Sequence, residues 1–224
     1  MSVTFDERPW LVLCEGETDK RFLDRLISQR GLPNEFQIKY PDRKGNKLAG
    51  RSKFGPWLGV AYESLDFEAN VRAVLIVSDN DSDPAKAFEE VQESLKNSDG
   101  FPIPPSERVV ERKDGYPPVA ILMVPHAAPG GIETLCVAAA YSKWPHLQNP
   151  VEQFAAATPA AYWSPGKLSK MKLQSIIAAS CVPRPDAGFS GHWWEKNEYH
   201  LPLDHAEFDD IATFLAGFRA MIET

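Results

Sequence analysis

One run of the chain, Val74-Leu-Ile-Val77, restricts the possible folds more than any other, because it is short, rich in β-branched residues and unbroken by polar ones. Such a run reads as a strand covered on both faces, the situation of an interior strand in a parallel sheet. It then passes into Ser78-Asp-Asn-Asp-Ser-Asp-Pro84. If the extended backbone continues, Asp79 and Asp81 leave one face of the strand and Asn80 the other. Carboxylates so placed repel each other unless a positive charge lies between them, and a hard divalent cation with oxygen ligands fills that role. The same residue types also build surface turns, so the motif in isolation admits that second reading.

A length of 224 residues suits one well-buried domain or a core with an appended subdomain. The net charge of -7 argues against indiscriminate nucleic-acid binding over the whole surface, though not against a local basic patch beside an acidic, metal-loaded centre. No apolar run approaches the roughly 20 residues of a membrane helix. The first residues, with Asp6, Glu7 and Arg8 ahead of Trp10, lack a signal-peptide pattern, so a cytoplasmic location is expected. Cys14, Cys136 and Cys181 are widely spaced in apolar surroundings and read as core residues. The histidines form no His-x-His or His-Glu-x-x-His pair, which removes support for zinc hydrolase chemistry.

Pro9 to Cys14 is an apolar segment ending in Glu15-Gly16, and Glu17 to Gln29 carries Phe22, Leu23, Leu26 and Ile27 at helical spacing. This is a strand, a tight glycine turn and an amphipathic helix. Glu15 then stands at the carboxyl end of a strand. Asp19 falls in the first helical turn, where capping and the helix dipole also favour an acid. Phe36 to Tyr40 alternates as a second strand. The loop after it holds Arg43, Lys44, Lys47, Arg51 and Lys53, a basic excess that is a candidate contact for a phosphate backbone and equally a solvated loop. Phe54 to Phe67 reads as a short helix and Ala85 to Leu95 as an amphipathic one. Residues 97–118 are expected to form a mobile excursion with one short strand near Arg108 to Glu111. Val119 to Val124 is a further strand, followed by a turn and a helix through Tyr141. Glu133 lies near that helix start, where it can cap or be solvated as easily as ligate. The remainder carries helices at Val151 to Ala157, Lys167 to Ala179 and Glu207 to Ile222, with Lys167, Lys170 and Lys172 close together. His192-Trp-Trp-Glu195 is able to stack on bases or to pack against the domain. The expected organisation is an α/β core over 1–145 and a helical C-terminal extension over 146–224.

The order of these blocks, an apolar strand, Glu15-Gly16, a helix, then a second apolar strand ending in Asp79-x-Asp81, resembles the Toprim domain. More narrowly, the chain is similar to small stand-alone Toprim proteins related to the nuclease domain of the OLD family. Leu13-Cys-Glu-Gly-Glu-Thr-Asp-Lys-Arg-Phe22 resembles their Glu-Gly-x-x-Asp-x-x-Phe signature, Gly130-Gly-Ile-Glu-Thr-Leu135 their Gly-x-x-Glu-x-Leu segment, and Lys170-Met-Lys-Leu-Gln174 a lysine-bearing helix near their C-terminus. The resemblance implies a Toprim-like, Rossmann-like, largely parallel sheet flanked by helices, with ligands at the carboxyl ends of adjacent strands.

It also implies metal-dependent phosphodiester hydrolysis of nucleic acid, with two Mg²⁺ or Mn²⁺ ions clamping the attacking and leaving oxygens. In that scheme Glu15, Asp19, Asp79, Asp81 and Glu133 are the metal ligands, Glu15 and Lys172 the catalytic residues, and Arg43 to Lys53 position the backbone. DNA ahead of RNA as substrate, a separate ATPase as partner, a homodimer and a role in phage defence or repair are further implications of the resemblance. No tyrosine stands out as a topoisomerase nucleophile, and no zinc module supports primase activity. Two other readings are a catalytically inactive Toprim module that binds nucleic acid or docks a partner, and a HAD-type phosphatase. The second normally carries its Asp-x-Asp on the first strand, followed by a threonine that is absent here.

Overall fold

Short apolar runs separated by amphipathic helices leave the chain one economical solution, a parallel sheet with helices on both faces. A computed structural model describes residues 4–41, 50–98, 100–181, 185 and 201–224. Its strands β1 (Trp10–Leu13), β2 (Phe36–Lys39), β3 (Ala73–Asp79) and β4 (Val119–Val124) form one sheet in the order β2-β1-β3-β4. Every pairing is parallel. In register, Leu13 lies beside Ile76 and Asp79 beside Val124, so β3 continues past the end of β1 and reaches the rim with β4.

Strand alternation sorts the side chains into two cores. Val12, Cys14, Leu75, Val77, Leu122 and Val124 face α1 (Glu17–Gln29), α5 (Ile132–Lys143), α7 (Pro165–Ser180) and α8 (Asp209–Glu223). Leu11, Leu13, Val74, Ile76, Ile121 and Met123 face α2 (Phe54–Tyr62), α3 (Leu65–Asn70) and α4 (Pro84–Lys96). The first core runs without interruption through residue 145, since Leu173, Ile176 and Phe218 belong to it as fully as Phe22 does. α6 (Pro145–Ala156) follows α5 after Trp144 alone. Phe218 of α8 meets Trp10 edge to face at 6.0 Å, which ties the C-terminal helix to β1.

Two expectations change in detail. The helix expected over Phe54 to Phe67 divides, because Ser64 takes an extended conformation and its hydroxyl accepts from the Phe67 N–H at 3.2 Å, starting α3 afresh. Of residues 97–118, expected to form a mobile excursion, Arg108 and Arg112 bond to Asp210 and to the Met221 and Ile222 carbonyls of α8, while Phe101, Ile103 and Tyr116 pack on the α2–α4 side. There Phe101 and Tyr116 join Tyr62 and Phe67 in one ring cluster, with Tyr62 stacked on Tyr116 at 5.0 Å. The strand expected near Arg108 to Glu111 is reduced to a single antiparallel bridge between Glu111 and Val119. Among the described residues no helix is long and apolar enough to cross a membrane. The three cysteines are free and buried, and burial pushes the Cys14 and Cys136 thiols up.

α2 and α4 approach closely at Gly55, whose N–H donates to Ser94 Oγ at 3.1 Å and where an added Cβ would lie 1.8 Å from the Ser94 carbonyl oxygen. Gly55→Ala is therefore expected to separate α2 from α4 and to cost about 1–3 kcal/mol. Urea unfolding should show a lower midpoint at unchanged slope.

Candidate functional site

Parallel strands deliver their carboxyl ends to one rim of a sheet, and the segments that follow β1, β3 and β4 place acids there. Glu15 lies two residues past the end of β1, and its Oε1 accepts from Ser78 Oγ at 2.6 Å and from the Asp79 N–H at 3.1 Å. Asp79 closes β3, and its Oδ1 accepts from the N–H of Ile132, the first residue of α5, at 3.1 Å. Charge-assisted bonds of this kind favour the ionised carboxylate. The fit is close: a Cβ on Gly131 would lie 2.4 Å from Asp79 Oδ2, so only glycine lets α5 begin against this carboxylate.

Asp19 sits in the first turn of α1, where its Oδ2 accepts from the Gly16 N–H at 3.0 Å and closes the glycine turn. Glu133, on the second residue of α5, is buried at 8% exposure, with Oε1 3.8 Å from Lys170 Nζ. Asn80 points the other way. Its Nδ2 donates to the Pro125 and Ala128 carbonyls and its N–H to Val124 O at 2.9 Å, fastening the β4–α5 connection to the end of β3.

The extended backbone does not continue through the motif. Asp81 has φ +51°, and its carbonyl accepts from the Gly130 N–H at 2.6 Å. Asp79 and Asp81 therefore do not share a face. The Asp79 carboxylate turns toward α5, while the exposed Asp81 carboxylate pairs with Arg51. The Arg51 side chain, 9% exposed, also reaches Glu15 Oε1 at 3.5 Å and Glu90 Oε2 at 3.6 Å, and its buried Nη1 has no hydrogen-bond partner among the described residues.

Crowding sets the electrostatics. Burial pushes the Asp19 carboxyl up to about 7, with the Glu15 and Glu133 charges adding to the effect. Burial, then Asp19, Glu15 and Glu133, push Asp79 well above the usual carboxylate range. Glu133 is likewise raised, first by burial and then by Glu15, against the pull of Lys170. Burial alone would lower the Lys170 ammonium, but Glu133, Asp79, Asp19 and Glu15 together lift it above its ordinary value. Lys170 is thus the shared cationic neighbour of the four acids.

The structure accordingly brings Glu15, Asp19, Asp79 and Glu133 together and leaves Asp81 at the rim, joined to Glu15 through Arg51. Lys172, expected at the site, instead donates to Glu152 Oε2 of α6 at 2.7 Å. Its neighbour Lys170 faces the acids because Gly166, Ser169, Lys170, Leu173 and Ile177 form one helical stripe against α5. A Cβ on Gly166 would lie 3.9 Å from Asp81 Oδ1, and Ser169 Oγ lies 3.1 Å from Thr134 Oγ1. The buried Leu173 and Ile177 were a sequence signal for this side of α7. Arg51, expected as a phosphate contact, is an ion-pair partner of the acids, and Lys53 is half-buried in the short 3-10 turn beside it. Arg43, Lys44, Lys47 and the His192 to Glu195 segment lie outside the described residues.

An all-oxygen set under mutual repulsion is the donor chemistry that a hard divalent cation takes. The oxygens are splayed: among the described residues no group of three acidic, histidine or cysteine side chains is arranged to hold a metal ion. Glu15 Oε2, Asp79 Oδ2 and Asp19 Oδ1 accept no hydrogen bond among the described residues.

Raised carboxyl values make a definite pH prediction. A carboxyl that holds its proton up to about 7 in the folded chain, against an ordinary 3.8, contributes stability that is complete below the lower value and lost as pH rises through the upper one. In EDTA, the melting temperature should fall between about pH 4 and about pH 7, and Asp19→Asn or Asp79→Asn should flatten that fall. A melting temperature that rises over this interval, unchanged by either substitution, would contradict the crowding.

A family model described as "Protein of unknown function (DUF3226)" matches residues 9–219. No curated protein and no solved structure matches the chain. The family match begins just before β1, takes in every strand of the sheet and ends within α8, and the chain belongs to the DUF3226 family.

Proposed function

We propose that the chain is a metal-dependent phosphodiesterase acting on nucleic acid, in the manner of a Toprim nuclease. The observation that carries this reading is the gathering of Glu15, Asp19, Asp79 and Glu133 at the carboxyl rim of the sheet with Lys170 beside them. Glu15 and Asp79, at the ends of adjacent strands, would hold a Mg²⁺ or Mn²⁺ ion, with Asp19 and Glu133 completing its shell or sharing a second ion. Such an ion, when bound, would polarise a phosphoryl oxygen and acidify a coordinated water. The protein's part is positioning and charge. Ser78 and the Asp79 N–H hold the Glu15 carboxylate in place, and the α5 amide does the same for Asp79. Lys170 Nζ is placed to take up negative charge developing on the phosphate. Arg51 fixes Glu15 relative to Asp81 at the rim, where the backbone of a substrate would enter.

One observation favours a second reading. Arg51 already supplies a cation between Glu15 and Asp81, as it would in an inactive module that binds nucleic acid or docks a partner without cleaving.

Plasmid and labelled single strands incubated with Mg²⁺, Mn²⁺ or EDTA separate the two. Metal-dependent cleavage is expected, with Asp79→Asn lowering the rate by about 100-fold or more and Lys170→Ala by about 100-fold. Lys172→Ala should leave the rate within a few-fold of wild type, since its ammonium is engaged with Glu152. Cleavage that is absent with every metal, or that survives Asp79→Asn, contradicts the hydrolase reading. The binding-module reading takes its place if the folded chain still retains oligonucleotides.

A further inference from the structure

Lys170 belongs to a second feature besides the acid cluster. Beside α7 lies a shallow groove of about 740 Å³ whose surface is mostly apolar, lined by Trp163, Met171 and Ala178 together with Lys167, Lys170, Gln174 and Ser175. Trp163 is 47% exposed and stacks on no other described aromatic ring, and Tyr162 just before it is 93% exposed. A large aromatic left half open to water beside two exposed lysines, in a chain of net charge -7, is a local arrangement that solubility alone does not call for. The groove is continuous with the acids: Lys170 is 3.8 Å from Glu133, and Gly166, one turn earlier on α7, lies beside Asp81.

We infer that this groove is a nucleotide subsite in which an unpaired base stacks on Trp163 while its flanking phosphates lie against Lys167 and Lys170, so that the substrate is single-stranded or locally unpaired nucleic acid. The inference rests on the hydrolase reading of the adjoining acids and names its substrate class. Its physical basis is that an aromatic face can take a base only when that base has left the duplex stack, whereas the ammonium groups take the backbone whatever the sequence. The volume is ample for a base with its sugar. Aromatic stacking is tolerant of base identity, so the groove selects strandedness and not sequence.

The test is anisotropy of labelled strands of about twelve nucleotides, single and duplex, with the full chain in Ca²⁺. Single strands are expected to bind more tightly than duplex. Trp163→Ala should weaken single-strand binding roughly tenfold or more, leaving duplex binding within about twofold, and Trp163→Phe should recover most of the loss. Lys167→Ala should lower the salt dependence by about one phosphate contact. Ultraviolet crosslinking of an iodouracil-substituted single strand to wild type should map to Trp163 or Tyr162, a readout independent of how any variant folds.

The subsite is overturned if folded Trp163→Ala binds single strands as wild type does, if duplex is preferred, or if crosslinks fall elsewhere. It is overturned too if sedimentation shows a wild-type dimer that Trp163→Ala turns into monomer, which would make a second copy the occupant. Metal-dependent cleavage that depends on Asp79 but ignores Trp163 removes the subsite alone. Absence of both binding and cleavage removes the hydrolase reading with it.

Discussion

Glu15, Asp19, Asp79 and Glu133 share one end of a parallel sheet, and the residues around them have to offset their mutual repulsion. Much of the local structure follows from that requirement. Ser78 and the Asp79 amide neutralise one oxygen of Glu15, the first amide of α5 one oxygen of Asp79, and the Gly16 amide one oxygen of Asp19. Each donor is a backbone or hydroxyl group fixed by a strand end or a helix start, so the acids are held by the fold itself. Gly131 belongs to the same solution, because a side chain there would push Asp79 away from the Ile132 amide that donates to it.

α7 connects the rim to the rest of the molecule. Its lower part, Leu173, Ile176 and Ile177, is buried in the core shared with the sheet, and its upper part meets the acids through Ser169, Lys170 and Gly166. Burial of the lower part therefore sets the height and rotation of the upper part, which decides that Lys170 faces Glu133 while Lys172 faces Glu152. The groove with Trp163 lies beside the same helix. One rigid element thus positions the cation beside the acids and the apolar surface beyond it. In the proposed subsite, Trp163, just ahead of α7, and Lys170 on α7 would keep base stacking and charge neutralisation at a fixed separation, as a positioning site needs.

The strands were legible because their signal is local. Val119–Val124 is apolar throughout and bounded by proline, and Val74–Val77 ends at acids that stop the sheet. Glu15 was legible as a strand-end acid for the same reason. The direction of Asp81 was not, because it depends on a bond from Gly130, distant in sequence, that holds Asp81 at positive φ. Nor was the choice between Lys170 and Lys172, two residues apart on one helix, since it turns on which side of α7 meets α5 and which meets α6. Arg51 reads in sequence as one charge of a basic loop. Only the folded chain brings it to Glu15, Asp81 and Glu90, three acids from three different segments.

The account stands on the acid cluster being a site for a divalent cation, and paramagnetic resonance of Mn²⁺ titrated with the protein addresses that point without requiring a substrate. The account predicts that the signal of free aqueous Mn²⁺ disappears as wild-type protein is added, that excess Mg²⁺ restores it, and that Glu15→Gln or Asp79→Asn prevents the loss. Free Mn²⁺ signal persisting undiminished at high concentrations of folded protein would contradict it, and would leave Glu15, Asp19, Asp79 and Glu133 as structural residues whose charges are met by Arg51, Lys170 and the backbone.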